Sequence, residues 1–277
     1  MKKLLSTLAC LLLAASLVLS GCVTVEVNQN TGEAENEAEA EKDLLDEILE
    51  RGYINVGTEG TYAPNTYHDE DDNLVGFDVE VAALVAKYLG VEVHYVEMEW
   101  ASIFAALDAG QIDTVINEVG WTEERAAKYD YSNPYAFVRG GILVRGDYDE
   151  INSFEDLEGK VAANESTSTW GALAQEYGAT LDPVNAMAQS ISEVLNGRAD
   201  CTLNYITAFA DYMKQQPDAN VKVAVTSDPE PSSYIPVRKG ETRLVDAIND
   251  ALAKALESGE LKEVSEKYFG VDVTENN

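Results

Sequence analysis

The sequence predicts an α/β protein in which strands and helices alternate, and three observations carry that reading. Short apolar runs at residues 54–58, 91–96, 112–116, 160–163 and 199–203 have the length and bounding residues of buried strands. Between them lie stretches with apolar residues three and four apart, closed by Gly52, Gly90 and Gly178. Finally, the units Gly110-Gln111-Ile112-Asp113 and Gly197-Arg198-Ala199-Asp200 both follow a helix end and lead into a strand, as in two lobes built alike. Alternation at this spacing implies parallel sheets covered by helices on both faces.

Each element has a local reason. Leu44, Leu45, Ile48 and Leu49 form one face of a short helix that Gly52 stops. Asp78 is placed to cap a helix striped by Val81, Leu84, Val85, Tyr88 and Leu89, with Gly90 at its end. Residues 102–109 form a short helix before strand 112–116. In the second half, strand 160–163 precedes helix 169–177, and helix 190–195 precedes strand 199–203. Residues 242–269 close the chain as helices. Periodicity alone places a single domain boundary near Gly146.

The most informative stretch is residues 117–135, NEVGWTEERAAKYDYSNPY. Thr122 is a good helix N-cap, and Glu123 and Glu124 sit where acids favour a helix start. Arg125 follows at the third helical position, where a cation opposes the helix dipole. Two readings stand: a surface arginine paired with Glu123 or Glu124, or a guanidinium that clamps a ligand carboxylate through two parallel hydrogen bonds.

The run Thr122-Glu123-Glu124-Arg125, then Tyr131-Ser132-Asn133-Pro134-Tyr135, resembles the TxER…(F/Y)SxPY block of the family 3 solute-binding proteins, the extracytoplasmic receptors of polar amino-acid ABC importers. The resemblance continues in order through GTEGTYAP from Gly57, LVGFDVEV from Leu74, Asn196-Gly197-Arg198-Ala199-Asp200 and Pro236-Val237-Arg238-Lys239-Gly240, over about residues 44–270. GTEGTYAP, the Asn117-x-Val119-Gly120 run and the Ser168-Thr169-Trp170-Gly171 run look most like the cystine-binding branch. The resemblance implies a two-lobe periplasmic-binding-protein-like fold (type II), with crossings near 138–143 and 232–237. Lobe 1 would be residues 44–139 plus 236–277, and lobe 2 residues 140–235. It further implies a ligand held between the lobes, delivery to ABC permease subunits, no cofactor, and a monomer.

The N-terminal residues read as a secretory signal over 1–21: Lys2 and Lys3 precede a short apolar run that ends in Leu19-Ser20-Gly21-Cys22. That ending resembles a bacterial lipobox, which would lipidate Cys22 and hold the protein at a membrane surface. The alternative is an ordinary cleavage site with an incidental cysteine. Residues 22–43 then form a linker in which Glu33, Glu35, Glu37, Glu39 and Glu41 alternate with small or polar residues, a pattern unable to build a core. The formal charge of −31, more negative still without Lys2 and Lys3, repels nucleic acid and anionic headgroups. With two histidines and one cysteine beyond the linker, Cys201, no zinc-type ligand set is present, and no EF-hand spacing occurs.

An amino acid in water is a zwitterion, so its receptor must satisfy a carboxylate and an ammonium. For the carboxylate the candidates are Arg125 and the helix start at Ser166, Thr167 and Ser168, positions that match the anion-binding stretch of relatives. Plain helix capping by Thr167 or Ser168 is the simpler alternative. Tyr62 and Trp100 match aromatic or apolar cleft walls, and Glu59, Asn117, Glu118 and Gly120 match cleft-lining positions. One residue beyond Asn204, relatives usually place an ammonium-binding aspartate; here Tyr205 stands there. Asn65 replaces a usual phenylalanine. Glu118 or Glu59 is left to meet the ammonium. A cyclohexadienyl-dehydratase-like enzyme on the same scaffold is the alternative from another class, and a sensory module for a receptor is a third. No Gly-x-Ser-x-Gly elbow is present, and His68 and His94 stand apart.

Overall fold

A computed structural model describes residues 42–275; the signal segment, Cys22 and linker residues 23–41 lie outside the described residues. Helix α1 (Leu44–Arg51) leads to strand β1 (Tyr53–Thr58) and a small antiparallel sheet of β2 (Thr61–Tyr62), β3 (Thr66–His68) and β4 (Leu74–Val75). Helix α2 (Phe77–Leu89), β5 (Glu92–Glu97), α3 (Trp100–Asp108), β6 (Thr114–Val115), α4 (Glu123–Lys128) and β7 (Tyr129–Tyr131) follow. The chain then runs through β8 (Ala136–Arg145), β9 (Val161–Asn164), α5 (Thr169–Glu176), β10 (Thr180–Pro183), α6 (Met187–Leu195), β11 (Cys201–Tyr205) and α7 (Ile206–Gln215). It ends with β12 (Val221–Ser233), β13 (Pro236–Arg238), α8 (Thr242–Glu257) and α9 (Glu260–Phe269).

Two five-stranded sheets result, ordered β5-β1-β6-β13-β7 and β10-β9-β11-β8-β12. They are mixed, which corrects the expectation of parallel sheets. β1 is parallel to β5 and β6, and β9 to β10 and β11, but β13 runs antiparallel to β6 and β7, and β8 antiparallel to β11 and β12. The reason is topological. The chain passes from the first sheet to the second between Tyr131 and Ala136 and returns between Ser233 and Pro236. A strand that carries the chain out lies beside the one that brings it back, and such neighbours run in opposite directions.

Each sheet is covered on both faces. Helices α2, α8 and α9 bury Val81, Val85, Ile248 and Leu252 against Ile54 and Val56 on one face of the first sheet. On its other side Trp100, Ile103, Leu107 and Ile112 form a separate cluster. In the second sheet, Ile142, Leu203 and Cys201 pack with Leu157 and Ala174, and Leu143, Ile191 and Phe209 form the opposite layer. Cys201 is fully buried, and burial pushes its thiol up to about 12, so it behaves as a small apolar residue.

The start of α2 departs from expectation. Its N-cap is Gly76, at φ 138°, with no side-chain cap; Asp78 lies inside the first turn, buried, and accepts a 2.7 Å hydrogen bond from Tyr135 Oη. The first-turn donors are met instead by backbone. Phe77 N–H donates to the Pro64 carbonyl at 3.0 Å and Asp78 N–H to that of Asn65 at 2.9 Å. Asp78 is thereby free to serve the interior rather than the helix end.

Candidate functional site

Four strand ends converge between the two sheets. Glu59 directly follows β1, Asn117 and Glu118 lie just past β6, Glu165 follows β9, and Asn204 stands next to the end of β11. Together with Tyr62, Trp100, Gly120, Arg125, Ser168, Thr169 and Trp170 they line about 420 Å³ of space, part of it open to solvent. Placing functional groups beyond the carboxyl ends of parallel strands is the general solution of open α/β sheets.

Arg125 stands at the mouth of this cleft. Thr122 caps α4 by accepting from the Arg125 N–H at 3.1 Å, which fixes the arginine's backbone. Its guanidinium donates to the Gly120 carbonyl at 2.9 Å and to the Thr167 carbonyl at 2.7 Å, and it lies 5.2 Å over the Trp100 ring and 5.0 Å over Phe104. It makes no ion pair with Glu123 or Glu124 within the described residues; Glu124 pairs with Lys128 instead. The surface-arginine alternative is therefore set aside. Thr167 belongs to the second lobe, so the guanidinium spans the cleft.

A second bridge joins the lobes deeper in. Tyr62 Oη lies 2.5 Å from Glu118 Oε2 and 2.7 Å from Asn204 Oδ1. Asn65, fully buried, donates its amide to Glu118 Oε2 at 2.8 Å. The position that usually holds a stacking ring thus holds a hydrogen-bond donor for the carboxyl behind it. Asn117 accepts from the Glu59 N–H at 2.8 Å and donates to Glu59 Oε2 at 2.7 Å, holding that carboxyl in place.

The cleft is short of compensating charge. Burial pushes Glu59 up to about 7; the Asn117 amide opposes this, and the charge of Glu165 adds to it. Burial likewise raises Glu165. Glu118 stands well above the usual carboxylate range, through burial first and the neighbouring Asp78 carboxyl second. Burial depresses the Arg125 guanidinium. One cation thus faces three carboxyl groups in one cavity.

Most residues expected at the site line this cleft, and four do not, among them Thr122, whose side chain caps α4 instead. Ser166 and Thr167 are exposed and line a separate crevice with Glu99 and Asn185, which corrects their placement in the cleft. They lie before the helix, whose cap is Ser168, accepting from the Gly171 N–H at 3.0 Å. Only Ser168, Thr169 and Trp170 of this helix start reach the cavity. Tyr205 lies behind the cavity wall. Its hydroxyl donates to the Ser232 carbonyl at 3.0 Å and its ring meets Trp170 edge-on at 4.7 Å, so it does not take the place of the usual aspartate. Gly120 matters through contact: a Cβ there would lie 2.9 Å from Thr169 Cγ2 across the cleft. Glu165 and Trp170 were not anticipated as cleft residues. The strand-end rule, applied after 160–163, points to Glu165.

A pair of α/β lobes that close on a buried, charged cleft defines a receptor for a small polar solute. The chain belongs to the bacterial extracellular solute-binding proteins, family 3, whose family model matches residues 54–271. It is 39% identical over 275 residues to the L-cystine-binding protein TcyA of Bacillus subtilis (strain 168), covering 99% of this chain and 100% of that one. Its fold matches an ancestral arginine-binding protein bound to arginine with a TM-score of 0.74, at 35% identity over 79% of this chain and 99% of that one. It matches the L-cystine solute receptor of Neisseria gonorrhoeae, in the unliganded open conformation, with a TM-score of only 0.58, although identity there is 40% over 84% of this chain and 100% of that one. In this structure the Arg125–Thr167 and Tyr62–Asn204 hydrogen bonds join the two sides of the cleft. The family and these relatives are solute-binding proteins, and the dehydratase-like alternative falls away with them.

Proposed function

We propose that this protein is a lipid-tethered receptor that captures cystine, or a closely related zwitterion, and hands it in the closed form to a membrane permease. The tether rests on the Leu19-Ser20-Gly21-Cys22 run, with Cys22 carrying the lipid. In this reading the lobes are residues 44–139 with 236–277, and 140–235, closing about their two crossings. The ligand carboxylate lies on the Arg125 fork and on the free N–H groups at the start of α5; an ammonium lies against Glu59. One observation carries the ligand class: the Arg125 guanidinium and the Glu59 carboxyl line one cavity. A zwitterion satisfies both, its carboxylate on the guanidinium and its ammonium against the carboxyl. Similarity to two proteins named for cystine supports the choice.

The test is a thermal-shift and calorimetric screen of cystine, arginine and the neutral amino acids. Cystine at a hundred times its dissociation constant is expected to add about 2.7 kcal/mol of stability, and arginine less. A screen in which no amino acid moves the transition sinks the reading. A second expectation follows from Glu59. An ammonium needs the ionised carboxylate, so this group makes affinity rise as pH climbs towards about 7 and level off above. Glu59→Gln is expected to weaken binding roughly tenfold or more and to remove that rising limb. A variant that keeps the limb assigns it to another group.

A further inference from the structure

Hydrogen-bond arithmetic around Tyr62 does not close if Glu118 is ionised. Tyr62 has one proton, and two oxygens lie within bonding distance of its hydroxyl, Glu118 Oε2 and Asn204 Oδ1. The orientation of Asn204 is fixed, because its Oδ1 also accepts the Tyr205 N–H at 2.7 Å and an amide nitrogen could not. Asn204 therefore takes the Tyr62 proton, and the second contact requires a proton from Glu118. A carboxylic acid supplies it: Oε2–H donates to Tyr62 Oη while Oε2 accepts from the Asn65 amide.

The surroundings agree. Glu118 is 8% exposed. The groups that face it from other elements are Asp78 on α2, Tyr62 on β2, the Asn65 amide, Asn204 and Tyr205 on β11, and Tyr135, which is bonded to Asp78 and also reaches the Glu118 backbone. None of these is a cation. Glu59, Glu165 and Arg125 line the same cavity, and both guanidinium bonds of Arg125 go elsewhere. Burial and the Asp78 carboxyl both favour the neutral form. The backbone at Glu118 has φ 49°, a left-handed conformation that a side chain adopts only when its neighbours fix it. The next residue, Val119, is held by the Tyr234 N–H at 3.0 Å.

We infer that Glu118 is a positioning residue that works as a neutral carboxylic acid: it donates to Tyr62, aims that hydroxyl at Asn204, and so latches the first lobe onto the second when the cleft closes. Glu118 is then not the ammonium's counter-ion, a role left to Glu59. Opening exposes the carboxyl to water and returns it towards its ordinary range, so closure takes up a proton. The sign is opposite to that of Glu59: a group whose pKa is higher in the closed state favours closure at low pH and ceases to as pH rises through its closed-state value.

The inference rests on the receptor reading for its ligand arm and is independent of it in the other. In the spectroscopic arm, infrared spectra of the parent, Glu118→Gln and Tyr62→Phe are recorded without ligand at neutral pH. The parent is expected to show a protonated-carboxyl C=O band that Glu118→Gln removes and Tyr62→Phe shifts, since Tyr62→Phe deletes the acceptor. A parent-minus-variant spectrum lacking that band overturns the inference, and Asp78, present in all three, cancels. In the ligand arm, cystine affinity is followed from mildly acidic to alkaline pH. The ratio of parent to Glu118→Gln affinity is expected to fall about tenfold for each unit by which the closed-state pKa exceeds the open-state one. A ratio flat with pH overturns the latch. Failure of every variant to bind cystine refutes the receptor reading alone, and the band still decides on Glu118.

Discussion

Arg125→Ala is expected to weaken ligand binding by roughly two orders of magnitude or more, the effect of leaving a buried carboxylate without its charged partner. The argument comes from what the side chain touches. Its two hydrogen bonds go to backbone carbonyls, one in its own lobe and one across the cleft, and its flat face rests on Trp100 and Phe104. These contacts hold the guanidinium in a fixed plane before any ligand arrives, and a planar fork held in place is what a carboxylate needs for two parallel bonds. Trp100 and Phe104 belong to an apolar cluster but keep their packing with Ile103 and Leu107 when the guanidinium is removed, and the cap of α4 comes from Thr122. The melting temperature of the free protein should therefore move little while affinity collapses. Arg125→Lys, which keeps the charge and loses the fork, should fall between the two. Calorimetry with the screened ligand decides: an affinity unaltered in the alanine variant removes the arginine from the site.

Much of this arrangement was legible in the chain. Alternating apolar runs and closing glycines marked most strands and helices to within a few residues, because buried strands and half-buried helices impose different periods. The Thr122 cap and the position of Arg125 were readable because a helix start is a local event. Sheet direction was not: β8 and β12 were read only as crossings near 138–143 and 232–237, and only their long-range pairing makes them antiparallel strands. The role of Asp78 was misjudged for the same reason. An acid near a helix start looks like a cap, and only the Pro64 and Asn65 carbonyls, brought in from another segment, release it to meet Tyr135. At the site, Glu165 escaped notice because nothing local distinguishes a cleft carboxyl from a surface one. Ser166 and Thr167 were overvalued because a polar run before a helix does not reveal which member caps it.

Gly76→Ala is expected to be the most damaging single methyl in the first lobe, lowering stability by roughly 3 kcal/mol or more. Two penalties coincide there. The backbone lies at φ 138°, a region a side chain rarely enters. An added Cβ would also sit 2.1 Å from the Asn65 carbonyl oxygen, 2.4 Å from its carbon and 2.8 Å from the Thr66 nitrogen. All three are backbone atoms, so no rotamer change relieves the clash and the segment at Asn65 must move. That segment supplies the carbonyls that satisfy the first turn of α2 and the amide that holds Glu118. Damage to the fold should therefore reach the Tyr62 latch, and affinity should drop along with stability. Gly90→Ala separates the two penalties. Gly90 has φ 77° but nothing within 4 Å of its would-be Cβ, so only backbone strain of about 1 kcal/mol applies. Urea unfolding of both variants, with m-values compared, should show Gly76→Ala losing several times as much as Gly90→Ala, and only Gly76→Ala losing affinity. Equal losses would mean that the close approach of α2 to the Asn65 segment does not hold in solution.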